Sequence, residues 1–304
     1  ALPALADSIM LTMGHHGFLE PFNEAFKDKR SDNLHIPSNI LLALAITAKL
    51  KQKTSLTDIP FAVSDAGLLA EPGWNTWDYG RNVTEGLFSE SVMRKLVKKY
   101  NSEELVSFYN HYVQDYVLEN LGVQPCIHIL DCTKIPVKLS NTNYENPSAV
   151  TIDGETIRGY KLGVLRGVMD ASGVAEEVVF GTLKTHDMEL CREMLKNTSC
   201  FHENDILISD MGFLSREITN YLKTERKVDT YIPARENMDI FKDAVSLAVS
   251  SGKWQKHPNK KRKDQEIQLI KSLGPLWTSD TSENDVPVNA CVVHDKKIGK
   301  FFAF

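Results

Sequence analysis

The chain changes rhythm at Pro125. Before it, apolar residues recur at helical spacing. After it, short apolar runs bounded by Asp, Gly and Ser alternate with amphipathic stretches. Cys126–Leu130 (CIHIL) reads as a short strand ending at Asp131. Tyr160–Met169 and Val174–Leu183 read as a hairpin joined by Asp170-Ala171-Ser172-Gly173. Asp187–Asn197 reads as a helix capped by Asp187, and Asp205–Ser209 as a strand ending at Asp210. Leu214–Glu225 reads as a helix with Ser215 near its start, and Val228–Ile232 as a strand. Strand, hairpin, helix, strand, helix, strand is the order of a mixed α/β domain with a central sheet.

The flanks differ from this centre. Residues 1–121 read as a helical region: a buried helix over Leu34–Leu50, two short turns over Ser55–Leu69, an amphipathic helix over Ser89–Lys99 and a longer one over Ser102–Asn120. Trp74–Arg81 reads as an aromatic loop. Residues 122–235 form the α/β core. Residues 236–304 read as a helix near Phe241–Val249, a basic loop over Gly252–Lys263 and three short strands at Glu266–Leu273, Val286–His294 and Lys300–Phe304. This last part is a β-rich region that the sequence leaves unfinished, because the chain stops inside the apolar run FFAF. Residue 304 is therefore not expected to be a natural end.

Composition excludes several classes. A chain of 304 residues with 42% hydrophobic content has enough apolar surface for one or two cores, so disorder is not its main state. The longest apolar run, Ile40–Ala48, is too short for a membrane span, and no signal-peptide pattern opens the chain. Five cysteines without a CxxC or a Cys/His ligand spacing predict reduced thiols, a cytoplasmic protein and no structural zinc. A net charge of −5 argues against polyanion binding by the surface as a whole and leaves room for a local basic footprint.

Two carboxylates stand out. Asp131 and Asp210 lie 79 residues apart, and each follows a short apolar run. Strand ends in a sheet can aim side chains from a rigid backbone. Paired carboxylates repel unless a hard divalent cation lies between them, which is a device for phosphoryl chemistry. The plainer reading makes both Asp residues strand-terminal turns.

Basic residues come next. Lys253, Lys256, Lys260, Lys261, Arg262 and Lys263 form a run with Trp254 interleaved, suited to phosphates and to stacking on a base, or else a solvated loop. Arg94, Lys95, Lys98 and Lys99 form a weaker basic face. Arg158, Lys161 and Arg166 either touch a DNA backbone or line a solvent edge. His186 and Asp187 stand at a strand-to-helix junction as accessory candidates, while His128, between two Ile, reads as a satisfied sheet histidine.

The ordered set ILDCTKIPV, RGYKLGVLRGVMDASG, VVFGTLKTHDMELCREML and ILISDMGFLS resembles the DDE transposases of bacterial insertion sequences, with their RNase H-like, retroviral-integrase-like core. TDIPFAVSDAGLL and GLFSESVMRKL resemble the helical arm before that core. The resemblance implies a DNA transposase that cuts and joins transposon ends, with Asp131 and Asp210 ligating Mg²⁺ or Mn²⁺. It also implies double-stranded DNA as partner, a homodimer on DNA, and action at the nucleoid. The family expects a third acid, a Glu in a Tyr-Arg-Glu-Lys signature. Tyr231 and Arg235 approach that spacing, but Asp239 stands where Glu belongs. The resemblance therefore implies a third carboxylate beyond Phe304 and weak catalysis by these residues alone. Two other readings stand beside it: a non-catalytic DNA-binding derivative of a transposase, and a haloacid-dehalogenase-type phosphatase. The phosphatase motif needs a second Asp where Thr133 stands.

Overall fold

A computed structural model describes residues 2–22, 36–53, 55–70, 72–75, 86–122, 124–140, 144–169, 172–275 and 285–304. Trp77 and the hairpin residues Asp170 and Ala171 lie outside the described residues. The fold is mixed α/β, and the chain divides into two compact units, 1–108 and 109–304.

The first unit is helical: α1 (Leu2–His15), α2 (Ser38–Leu50), 3₁₀ turns at Leu56–Phe61 and Ala66–Leu69, and α3 (Glu90–Val97). In α2, Ile40, Leu41 and Leu44 are fully buried, as its dense apolar content requires. Ser89 caps α3 through the Ser91 N–H. α4 (Ser102–His111) begins in this unit and continues through a π-helical stretch, Tyr112–Leu118, to a last turn, Glu119–Leu121. It stops at Gly122, whose φ of 60° is left-handed.

The second unit holds the central sheet. Its strands are β1 (Ile127–Pro136), β2 (Ser148–Ile152), β3 (Glu155–Met169), β4 (Ser172–Thr182), β5 (Ile206–Ser209) and β6 (Asp229–Tyr231). Strand β3 pairs antiparallel with β1 along one edge and with β2 and then β4 along the other. Beyond β1, strands β5 and β6 run parallel to it. The resulting order, β4-β3-β1-β5-β6 with two antiparallel and then two parallel pairings, is a mixed sheet compatible with an RNase H-like core. Strand β2 is an element that the apolar pattern does not disclose. Its hairpin with β3 turns on Asp153-Gly154, both at positive φ.

Helices α5 (Asp187–Asn197) and α6 (Arg216–Thr224) cover one face. Met188, Cys191, Met194 and Leu195 of α5 and Ile218 and Leu222 of α6 pack on Leu130, Leu165 and Leu207 of the sheet, with Phe213 between them. These residues recur at three- and four-residue spacing, which is why both segments are helices. Ser215 accepts the Ile218 N–H and caps α6. Asp187 is the first residue of α5 rather than its cap; His186 takes the cap position and makes no side-chain cap bond.

The outer edge of β4 is closed by side chains. Asn110 donates to the Val178 carbonyl at 3.0 Å and accepts the Val178 N–H at 2.9 Å, and Tyr109 donates to the Ala175 carbonyl. This satisfies an edge that would otherwise offer bare backbone to another strand.

Helix α7 (Asp239–Ser251) and a second antiparallel sheet complete the chain. That sheet is β7 (Gln255–Lys256), β8 (Gln265–Gly274), β9 (Val288–Asp295) and β10 (Lys300–Ala303), in the order β10-β9-β8-β7. Phe241, Ala244 and Ala248 of α7 pack on Ala290, Val292 and Ala303. The run FFAF is thus largely β10. Arg216 and Asn220 of α6 hold Asp285, just before β9, in a charge-assisted fork.

Candidate functional site

The parallel register of β1 and β5 runs Ile127 with Ile206, His128 with Leu207, Ile129 with Ile208 and Leu130 with Ser209. One residue further along each chain stand Asp131 and Asp210, just past the last paired positions. Residues 79 apart in sequence therefore each directly follow the last paired position of two neighbouring strands. Strand β1 does not end at Asp131, as the sequence suggests. It runs on to Pro136, because β3 pairs with it from His128 to Pro136, so Asp131 is a mid-strand residue. Asp210 follows the last residue of β5.

Face follows parity. Leu130 and Leu207 point into the core, whereas Ile129 and Ile208 are 37% and 41% exposed on the opposite face. Asp131 shares the parity of Ile129 and is exposed. Both carboxylates are oriented locally. The Cys132 N–H donates to Asp131 Oδ1 at 2.8 Å, and the Gly212 N–H donates to Asp210 Oδ1 at 2.8 Å. The Oδ2 atom of each takes no hydrogen bond from the described residues.

Asp187 belongs to the same neighbourhood. A Cβ at Gly212 would lie 2.9 Å from Asp210 Oδ1 and 3.8 Å from Asp187 Oδ2. The other Asp187 oxygen is held by Lys161 Nζ at 2.5 Å, and Lys161 also donates to the Thr185 carbonyl at 2.5 Å. Lys161 is therefore a buried tie between β3 and the start of α5, not a solvent-edge cation. The sequence carries the signal, since Lys161 shares period-2 parity with the core residue Leu165. His186 is exposed beside Asp187.

The basic run forms the β7–β8 hairpin. Lys253, Lys256, Lys260, Lys261, Arg262 and Lys263 are exposed, and none forms an ion pair with a described residue. Trp254 differs from them. It packs on the second sheet's core, with ring centroids 5.7 Å from His294 and 6.1 Å from Phe301.

His128 is fully buried between Glu176 Oε2 at 2.6 Å and Asp205 Oδ2 at 3.2 Å. Burial works against its charged form, but the two carboxylates prevail and raise its pKa above the usual 6.5. It is a structural group.

No family model matches the chain, and no curated protein matches it. Among solved structures, the chain is similar to piggyBac transposase in a synaptic complex with hairpin DNA, determined by cryo-EM. The TM-score is 0.41 and the identity 10%, over 99% of this chain and 60% of that one. The chain thus spans less than two thirds of that protein's length. None of the described helices is long and apolar enough to cross a membrane.

Proposed function

We propose that the 109–304 unit is the catalytic core of a DDE-type DNA transposase, with Asp131 and Asp210 as its metal-holding carboxylates. The observation that supports this reading is the β1–β5 register, whose last paired positions, Leu130 and Ser209, immediately precede the two acids.

The donor chemistry fits a hard divalent cation. Each Asp has one oxygen fixed by a backbone N–H and a second oxygen open. Mg²⁺ commonly takes one or two carboxylates and completes its shell with water and substrate phosphate. No cluster of three His, Cys, Asp or Glu suited to a metal occurs among the described residues, and Asp131 and Asp210 would hold such an ion together with nucleic acid and solvent. When bound, Mg²⁺ or Mn²⁺ supplies charge neutralisation at the scissile phosphate and activation of the attacking water or 3′-hydroxyl. The chain's own share is positioning. Asp131 is held by its pairing with Val164 of β3, and Asp210 by the turn to Gly212. Lys161 offsets the Asp187 charge at the rim.

DNA is the proposed partner, met by the β7–β8 hairpin, with a homodimer bridging two transposon ends in the cytoplasm, at the nucleoid. With two carboxylates, residues 1–304 are expected to hold cations loosely and to nick DNA weakly or not at all. The test is therefore Mn²⁺ binding, read by water-proton relaxation, alongside Mn²⁺-dependent nicking of plasmid DNA. The expected outcome is loss of Mn²⁺ binding in both Asp131→Ala and Asp210→Ala. Binding unchanged in both variants overturns the reading.

A further inference from the structure

Cys132 and Cys191 meet beneath the candidate site. Cys132 is on β1, one residue beyond Asp131, with its side chain on the face covered by α5; Cys191 is one turn into α5 after Asp187. Their Sγ atoms are 3.8 Å apart. The space they share exists because residue 163 of β3 has no side chain. A Cβ there would lie 2.5 Å from Cys191 Sγ and 3.6 Å from Cys132 Sγ. Cys132 is half-buried and Cys191 is buried. A disulfide needs the sulfurs at about 2.05 Å, an approach that rotation of two side chains into the Gly163 slot can supply.

We propose that Cys132 and Cys191 are a modification site: a reversible disulfide, formed by hydroperoxides, that ties β1 to α5. The half-buried Cys132 meets the oxidant. Its sulfur takes one oxygen from hydrogen peroxide, giving a sulfenic acid and one water. The Cys191 sulfur then bonds to the Cys132 sulfur and displaces the hydroxyl, which leaves with the Cys191 proton as a second water. Two thiols lose two electrons, and one peroxide is reduced to two waters. A small dithiol reverses the bond by exchange. The cross-link joins the strand bearing Asp131 to the helix whose first residue, Asp187, lies beside Gly212 and Asp210. It is independent of the proposed nucleotidyl transfer, and so is its test.

The purified full chain is treated with a small excess of hydrogen peroxide, alkylated under denaturing conditions, digested and analysed by tandem mass spectrometry. The expected result is loss of two alkylatable thiols and a linked pair of peptides containing Cys132 and Cys191, abolished by dithiothreitol. Trypsin leaves Cys126 and Cys132 on one peptide, so Cys126→Ser is run in parallel and is expected to retain the link. Cys132→Ser is expected to leave Cys191 fully alkylatable. The proposal is overturned if Cys132 accumulates as sulfinic acid while Cys191 stays a thiol, if both remain alkylatable, or if Cys132 links to Cys126 instead.

Discussion

At the scale of single residues, His128 shows how a buried charge is tolerated. Removing the ring leaves Glu176 and Asp205 facing an empty site in the core. His128→Ala is expected to cost about 3–5 kcal/mol, read by urea unfolding. The pH dependence follows from the raised pKa. The stabilisation is fully present below the unfolded value of 6.5 and is lost as pH rises through the higher folded value. Thermal melts should therefore weaken as pH rises above 6.5, and a melting temperature that does not fall there would contradict the charged triad. Gly163 is the second case. Ala there would meet Cys191 Sγ and Val179 Cγ1 at 2.5 and 2.8 Å, so Gly163→Ala should destabilise by about 1–3 kcal/mol in the same assay. At Cys191 the hydrogen bond with Cys132, and then burial, push the thiol pKa upward.

Among elements, a side-chain fork joins α6 to the segment entering β9. Arg216 and Asn220 both bind Asp285, whose side chain is only 5% exposed, and Asn220 Oδ1 accepts the Val286 N–H. Asp285→Ala should cost about 1–3 kcal/mol and speed hydrogen exchange at Val286 and the start of β9. Unchanged exchange there would show that the fork does not anchor the strand. The elements also show where sequence patterns mislead. An apolar run marks where a strand is buried, not where it ends. β1 continues through Cys132, Thr133, Lys134 and Ile135 because β3 supplies a partner for each, whereas β5 has parallel partners for only four residues. Asp187 has the chemistry of a helix cap, but Lys161 on a distant strand takes one of its oxygens instead.

For the molecule as a whole, charge is uneven: the total is −5, yet the β7–β8 hairpin is exposed and cationic. If this hairpin meets DNA, affinity should fall steeply with salt. Replacing Lys260, Lys261, Arg262 and Lys263 with Ala should reduce the log–log salt slope by about 3–4, measured by fluorescence anisotropy with duplex DNA. An unchanged slope would move the DNA contact elsewhere. Trp254 should contribute little to that binding, because its ring already packs on His294 and Phe301.

The sequence by itself determined the class of the fold and most of its elements, since periodicity is local and the segments from Asp187 to Tyr231 follow it closely. It also singled out Asp131 and Asp210. Only the tertiary structure decided that the strands preceding them are neighbours, because parallel pairing of β1 with β5 is a contact between distant segments that no local pattern encodes. Other long-range contacts buried Lys161, set Cys191 against Cys132 in the space left by Gly163, and turned Trp254 inward. Each of those fates depends on which chain lies opposite, and that is settled only when the sheet closes on its helices.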